Sequence, residues 1–64
     1  MTQFHVYLDG KPTKGIFDTL EGAQEGYKEE ALAGQNVEIQ TVNSLSPIRT
    51  WYYDKSINQW VLKN

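Results

Sequence analysis

The 64 residues predict an α+β fold of order β-β-α-β-β-β. A single helix (about 19–33) packs on one face of a four- to five-stranded, mainly antiparallel sheet. Three observations predict it. Apolar and polar residues alternate at Phe4–Leu8 and again from Val37 to Asn43, the period of a half-buried strand. Between these runs, Asp18-Thr19-Leu20-Glu21 opens a stretch of helical periodicity that Gly34 can close. Turn-forming residues at Asp9-Gly10 and at 54–59 separate strand-like neighbours.

The first strand carries Phe4, Val6 and Leu8 on one face and His5 and Tyr7 on the other. Asp-Gly favours the positive φ angles of a tight hairpin turn, so a return strand over Lys11–Phe17 is expected. Pro12 confines that strand to an edge, because proline cannot donate to a ladder. In the helix, Asp18 is the expected N-cap and Glu21 its reciprocal partner. At 100° per residue, Leu20, Ala23, Tyr27 and Ala31 share one face, and Glu21, Glu25 and Glu29 lie roughly opposite. Gly22 and Gly26 fall on the outer side. They read either as tolerated in a helix held by packing or as a close contact with a second chain.

A strand follows over Val37–Asn43, then a connection through Ser44-Leu45-Ser46-Pro47. Arg49–Tyr53 and Trp60–Lys63 form the last hairpin. Pairing Tyr53 with Trp60 sets Trp51 against Leu62 and Tyr52 against Val61, and cross-strand partners share a face. Trp51, Tyr53, Trp60 and Leu62 are therefore expected to face the helix. Thr50, Tyr52, Val61 and Lys63 face away.

A chain of this length is one small domain, 1–64, and buries only ~60% of its unfolded surface. It has no Cys, so it has neither a disulfide nor a thiolate metal site, and its one His is His5. The aromatics Phe4, Tyr7, Phe17, Tyr27, Trp51, Tyr52, Tyr53 and Trp60 must supply much of the burial, at ~150–250 Å² each. A net charge of −2 argues against a basic nucleic-acid footprint. No apolar run reaches the ~20 residues of a membrane span. The first residues lack the charged and apolar regions of a secretory signal, and no N-x-S/T acceptor occurs, so a cytoplasmic location is expected.

Catalytic groups are sparse. Gly10-Lys11-Pro12-Thr13 lacks the first glycine and the following helix of a phosphate-binding loop, and reads as a turn with solvated Lys11 and Lys14. His5 has no nucleophile or carboxylate at suggestive spacing for acid–base work. The Glu21, Glu25, Glu29 series, with Glu30 alongside, reads as a solvated face relieved by Lys28, or as an acidic ridge that docks on a basic protein. The calcium-loop pattern of oxygen ligands is absent. The expectation is a non-enzyme without cofactor or metal.

One helix, ~10 Å wide, covers little more than two strands spaced ~4.8 Å apart. Aromatic surface should therefore remain uncovered. The leading expectation is a protein-interaction module, with a protein partner or a homodimer, using His5, Tyr7, Tyr52 and Val61 on one face or Trp51 and Trp60 on the other. Tyr and Trp are enriched in such contacts. Two alternatives are single-stranded nucleic-acid or sugar binding by aromatic stacking, and a small acidic phage-type inhibitor acting through Glu21, Glu25 and Glu29 on a basic host protein. Of these partners, nucleic acid is disfavoured by the charge.

Overall fold

The computed structural model describes residues 2–42 and 48–63. Its elements are β1 (Gln3–Leu8), β2 (Lys11–Phe17), α1 (Leu20–Gly26), α2 (Lys28–Leu32), β3 (Val37–Val42), β4 (Thr50–Asp54) and β5 (Gln59–Leu62). The strands form one antiparallel sheet in the order β2-β1-β3-β4-β5. The α+β class and the strand pattern expected from sequence are both present. The expected connection at 44–47 lies outside the described residues. Among the described residues, no helix is long and apolar enough to cross a membrane.

The β1–β2 turn takes the anticipated form: Asp9 and Gly10 have φ of 51° and 82°, which suits the right-handed twist of the strands they join. β2 is an edge strand, where Pro12 leaves no ladder bond unmade. The β1–β2 register slips between Tyr7↔Pro12 and His5↔Ile16, so Thr13, Lys14 and Gly15 oppose Val6 alone. The Thr13 hydroxyl replaces the interrupted ladder. It donates to the Val6 carbonyl at 2.8 Å and accepts from the Gly15 N–H at 3.0 Å and the Tyr27 hydroxyl at 3.1 Å. One donor and two lone pairs are thereby all engaged.

The helical stretch follows the expected face but differs in two details. Its N-cap is Thr19, not Asp18: Thr19 is extended (φ −132°, ψ 152°) and its Oγ1 accepts from the Gly22 N–H at 3.0 Å. The helix starts at Leu20, so the third helical amide is Gly22, within reach of Thr19 rather than Asp18. The expected single helix is also divided, because Tyr27 departs from helical dihedrals (φ −120°, ψ 22°). Hydrogen bonds from Tyr27 N to Ala23 O and from Ala31 N to Tyr27 O bridge the break. The Tyr27 ring reaches β2, stacking edge-on against Phe17 with centroids 6.2 Å apart.

This crossing explains two glycines. A Cβ at Gly15 would lie 2.6 Å from Tyr27 Cε1, and one at Gly26 would lie 2.6 Å from Phe17 Cζ. Gly26 therefore makes a close contact within the chain, where the sequence suggested tolerance or a second chain. Gly34, at φ 97°, closes α2: its N–H bonds Ala31 O, and Gln35 N bonds Glu30 O.

The core lies on the helix side of the sheet. Val6, Val37 and Ile39 meet Ala23 and Ala31, all fully or almost fully buried. The small alanines let the helices approach closely, and Phe4, Leu8, Phe17, Leu20 and Tyr27 ring this centre. α1 packs on β1, β2 and β3. The β4–β5 hairpin thus extends beyond it, in the register expected from sequence: Trp51↔Leu62, Tyr52↔Val61 and Tyr53↔Trp60.

Thr13→Val should lower stability by about 1–3 kcal/mol, because it strands the Val6 carbonyl, the Gly15 amide and the Tyr27 hydroxyl together. Tyr27→Phe removes only one arm and should cost about 0.5–1.5 kcal/mol. Gly15→Ala should cost about 1–3 kcal/mol in the native chain and far less with Tyr27→Leu present. Urea unfolding of the single and double variants checks all three. A greater cost for Tyr27→Phe than for Thr13→Val would contradict the assignment.

Candidate functional site: the uncovered face of the sheet

Strand alternation and register place a continuous row of side chains on the face away from the helices. Pro12 stands opposite Tyr7, Tyr7 opposite Glu38, Glu38 opposite Tyr52, and Tyr52 opposite Val61. The neighbouring row runs Ile16, His5, Gln40 and Thr50. Among the described residues, no helix or second sheet packs over this face. His5, Tyr7, Tyr52 and Val61 are half-buried among their neighbours, and Ile16 is 51% exposed.

The four residues anticipated for this face are therefore brought together, but not as one apolar patch. Glu38 separates the two tyrosines. Its carboxylate pairs with the Lys63 ammonium at 2.9 Å. Both side chains are in contact with water, so the pair contributes at most ~1 kcal/mol to stability and mainly fixes where the charges sit.

Beside the Glu38–Tyr52 part of the row a hollow of about 550 Å³ opens, lined by Asp9, Gly10, Asn36, Glu38, Tyr52 and Lys63, with Val37 and Tyr53 also contributing. Its rim is held by the β1–β2 turn: Asp9 N donates to Asn36 O at 2.8 Å, and Asn36 N donates to Asp9 Oδ1 at 3.3 Å. The hollow presents a tyrosine ring, two carboxylates, an amide and an ammonium. Such a set orients a polar or extended ligand segment by hydrogen bonds around one aromatic contact. Glu38, Lys63, Asp9 and Asn36 were not among the residues singled out from sequence. Alternation alone assigns Glu38 to a face, but its place between Tyr7 and Tyr52 requires the strand order.

Trp51 and Trp60 lie on the opposite, helix-side face. Trp51 packs at 5.9 Å from Phe4, and Trp60 stacks edge-on with Tyr53 at 5.3 Å. Between α1–α2 and the hairpin runs a groove of about 250 Å³, lined by Gln24, Glu25, Lys28, Leu32, Tyr53 and Trp60. Leu32 beside it is 62% exposed, and Leu62 is 49% exposed. The two tryptophans thus belong to a half-closed extension of the core, separate from the tyrosine row.

Glu21, Glu25 and Glu29 are exposed on the helices, and among the described residues none forms an ion pair. The break at Tyr27 divides the series, leaving Glu21 and Glu25 on α1 and Glu29 on α2. Among the described residues, no three His, Cys, Asp or Glu side chains gather closely enough to hold a metal ion. No protein-family model, characterised protein or solved structure matches the chain.

The β4–β5 turn lies at the same end of the sheet as the β1–β2 turn. Asp54 Oδ1 accepts from Ser56 N at 2.9 Å and Ser56 Oγ at 2.6 Å, and Asn58 takes φ 53°. Lys55 Nζ donates to the Gly34 carbonyl, tying the turn to the end of α2. The Ser56 hydroxyl and amide hold the Asp54 pKa below its ordinary value of 3.8. A depressed folded pKa means that the turn's contribution is present above the unfolded value and disappears as pH falls through the folded one. An NMR titration should accordingly give Asp54 a midpoint below 3.8. Ser56→Ala should move that midpoint upward, and an unmoved midpoint would contradict the assigned cause.

Proposed function

We propose that this chain is a non-enzymatic protein-interaction module whose contact surface is the sheet face opposite the helices. The observation that carries this reading is the row Tyr7–Glu38–Tyr52–Val61 on a face that no described element covers. Half-buried tyrosines offer large, rigid contact area with a polar tip, and losing water from them on docking is favourable. Glu38, Lys63 and Asp9 around the hollow supply the charged rim that fixes orientation.

The reading also accounts for the side chains on offer better than a nucleic-acid platform does. Base stacking operates with a positively charged track for the phosphates. Here the tyrosines flank a carboxylate, and among the described residues the one rim ammonium is already paired with it.

The test is partner capture from a host lysate with native chain, the Tyr7→Ser/Tyr52→Ser variant and the Glu21→Lys/Glu25→Lys/Glu29→Lys variant. The tyrosine variant should lose a reproducibly captured protein by tenfold or more, ~1.4 kcal/mol or beyond, while keeping its circular-dichroism melt. The glutamate variant should capture as the native chain does. The reverse pattern would move the contact to the acidic ridge and support the inhibitor alternative. Tyrosine fluorescence changes on titration with an oligonucleotide or oligosaccharide would support stacking instead.

A further inference from the structure

The two edges of the sheet differ in how they are guarded. At the β2 edge stand Lys11, Pro12 and Lys14, and a bulge interrupts the strand, all of which discourage pairing with another strand. The β5 edge, Gln59-Trp60-Val61-Leu62, carries no charge, proline or bulge.

Its hydrogen-bonding groups can be assigned. Lys63 N donates to Thr50 O at 2.7 Å, so Lys63 and Thr50 are a bonded pair across β4–β5. Bonded pairs alternate along an antiparallel ladder, so Val61–Tyr52 and Gln59–Asp54 are bonded too. The N–H and C=O groups of Trp60 and Leu62 consequently point outward, away from β4. They form a short template for a further strand.

We propose that this edge pairs with β5 of a second copy of the chain, antiparallel and centred on Val61. Strand alternation allows only registers in which paired residues share a face. Centring on Val61 sets Trp60 opposite Leu62 of the second copy, so both outward-facing residues meet outward-facing residues and exchange bonds. Val61 then faces Val61 of the second copy in a non-bonded position. Centring on Trp60 would instead oppose Leu62 to Asn58, whose φ of 53° has already left the strand. Lys63 of the second copy comes opposite Gln59, so this register sets no like charges against each other. The pairing buries the exposed Leu62 beside Trp60 of the other copy. It also runs the Tyr7–Glu38–Tyr52–Val61 row across both chains without covering it, so the dimer stands or falls independently of what binds that face.

A four-residue seam is small beside the ~1,200–2,000 Å² of stable interfaces, so the association is weak and must be measured at about millimolar concentration. Sedimentation should show a mass rising from one chain towards two as concentration increases. The chain has no cysteine, which makes cross-linking specific. In a non-bonded antiparallel pair the Cα atoms lie ~4.5 Å apart, within disulfide range. Val61→Cys should therefore oxidise readily to a covalent dimer, while Lys63→Cys, which opposes Gln59, should not. Leu62→Pro deletes an outward N–H and no bond within the chain, and should abolish the mass increase while the circular-dichroism spectrum is retained. A native chain that remains monomeric throughout overturns the proposal. So does equal cross-linking of the Val61 and Lys63 variants, or self-association that survives Leu62→Pro.

Discussion

The Thr13 hydroxyl is where the two layers of this protein are joined. It mends the β1–β2 ladder where β2 bulges, and it receives the Tyr27 hydroxyl from the helical layer. Gly15 clears the space in which the Tyr27 ring lies, and Gly26 clears space for Phe17. The rings then meet edge to face. With alanines at the centre of the helix–sheet contact and no disulfide, this polar and aromatic clasp fixes how the helices sit on the sheet.

Where the clasp sits determines what is left open. It anchors α1 over β2, β1 and β3, towards one side of the sheet. The β4–β5 hairpin on the other side must shelter its own apolar residues. It does so in part, by stacking Trp60 on Tyr53 and Trp51 on Phe4 and by tying its turn to the end of α2. Leu62 and Leu32 remain partly in water. The opposite face of the sheet has no covering layer among the described residues, and there tyrosine and valine alternate with charge. A single helical layer over five strands accounts for both features, because its width is about that of two strands.

Charge placement separates the two surfaces. The helices turn Glu21, Glu25 and Glu29 to solvent, whereas the tyrosine row holds a balanced Glu38–Lys63 pair. The row therefore presents aromatic area with local charges of both signs, away from the acidic helices. At β5 the strand residues are uncharged, so the edge there is defined by backbone hydrogen-bonding groups rather than by side-chain charge.

Local chemistry in the sequence determined the strands, the Asp9-Gly10 turn, the apolar face of the helical stretch, the Gly34 stop and the register of the last hairpin. Each depends on residues close in the chain, through alternation, positive φ or capping. The edge position of Pro12 was legible for the same reason, since a missing N–H excludes a central place. The N-cap was less so, because Asp18 and Thr19 both have capping side chains and only the start of the helix at Leu20 selects between them. Tertiary structure alone decided the break at Tyr27, the need for Gly15 and Gly26, and the insertion of Glu38 between Tyr7 and Tyr52. These arise from contacts between strands and helices far apart in sequence, where periodicity gives a side chain its face but not its neighbour. So too with the tryptophans: pairing in the hairpin placed Trp51 and Trp60 on one face, but only the position of the helices left that face half closed.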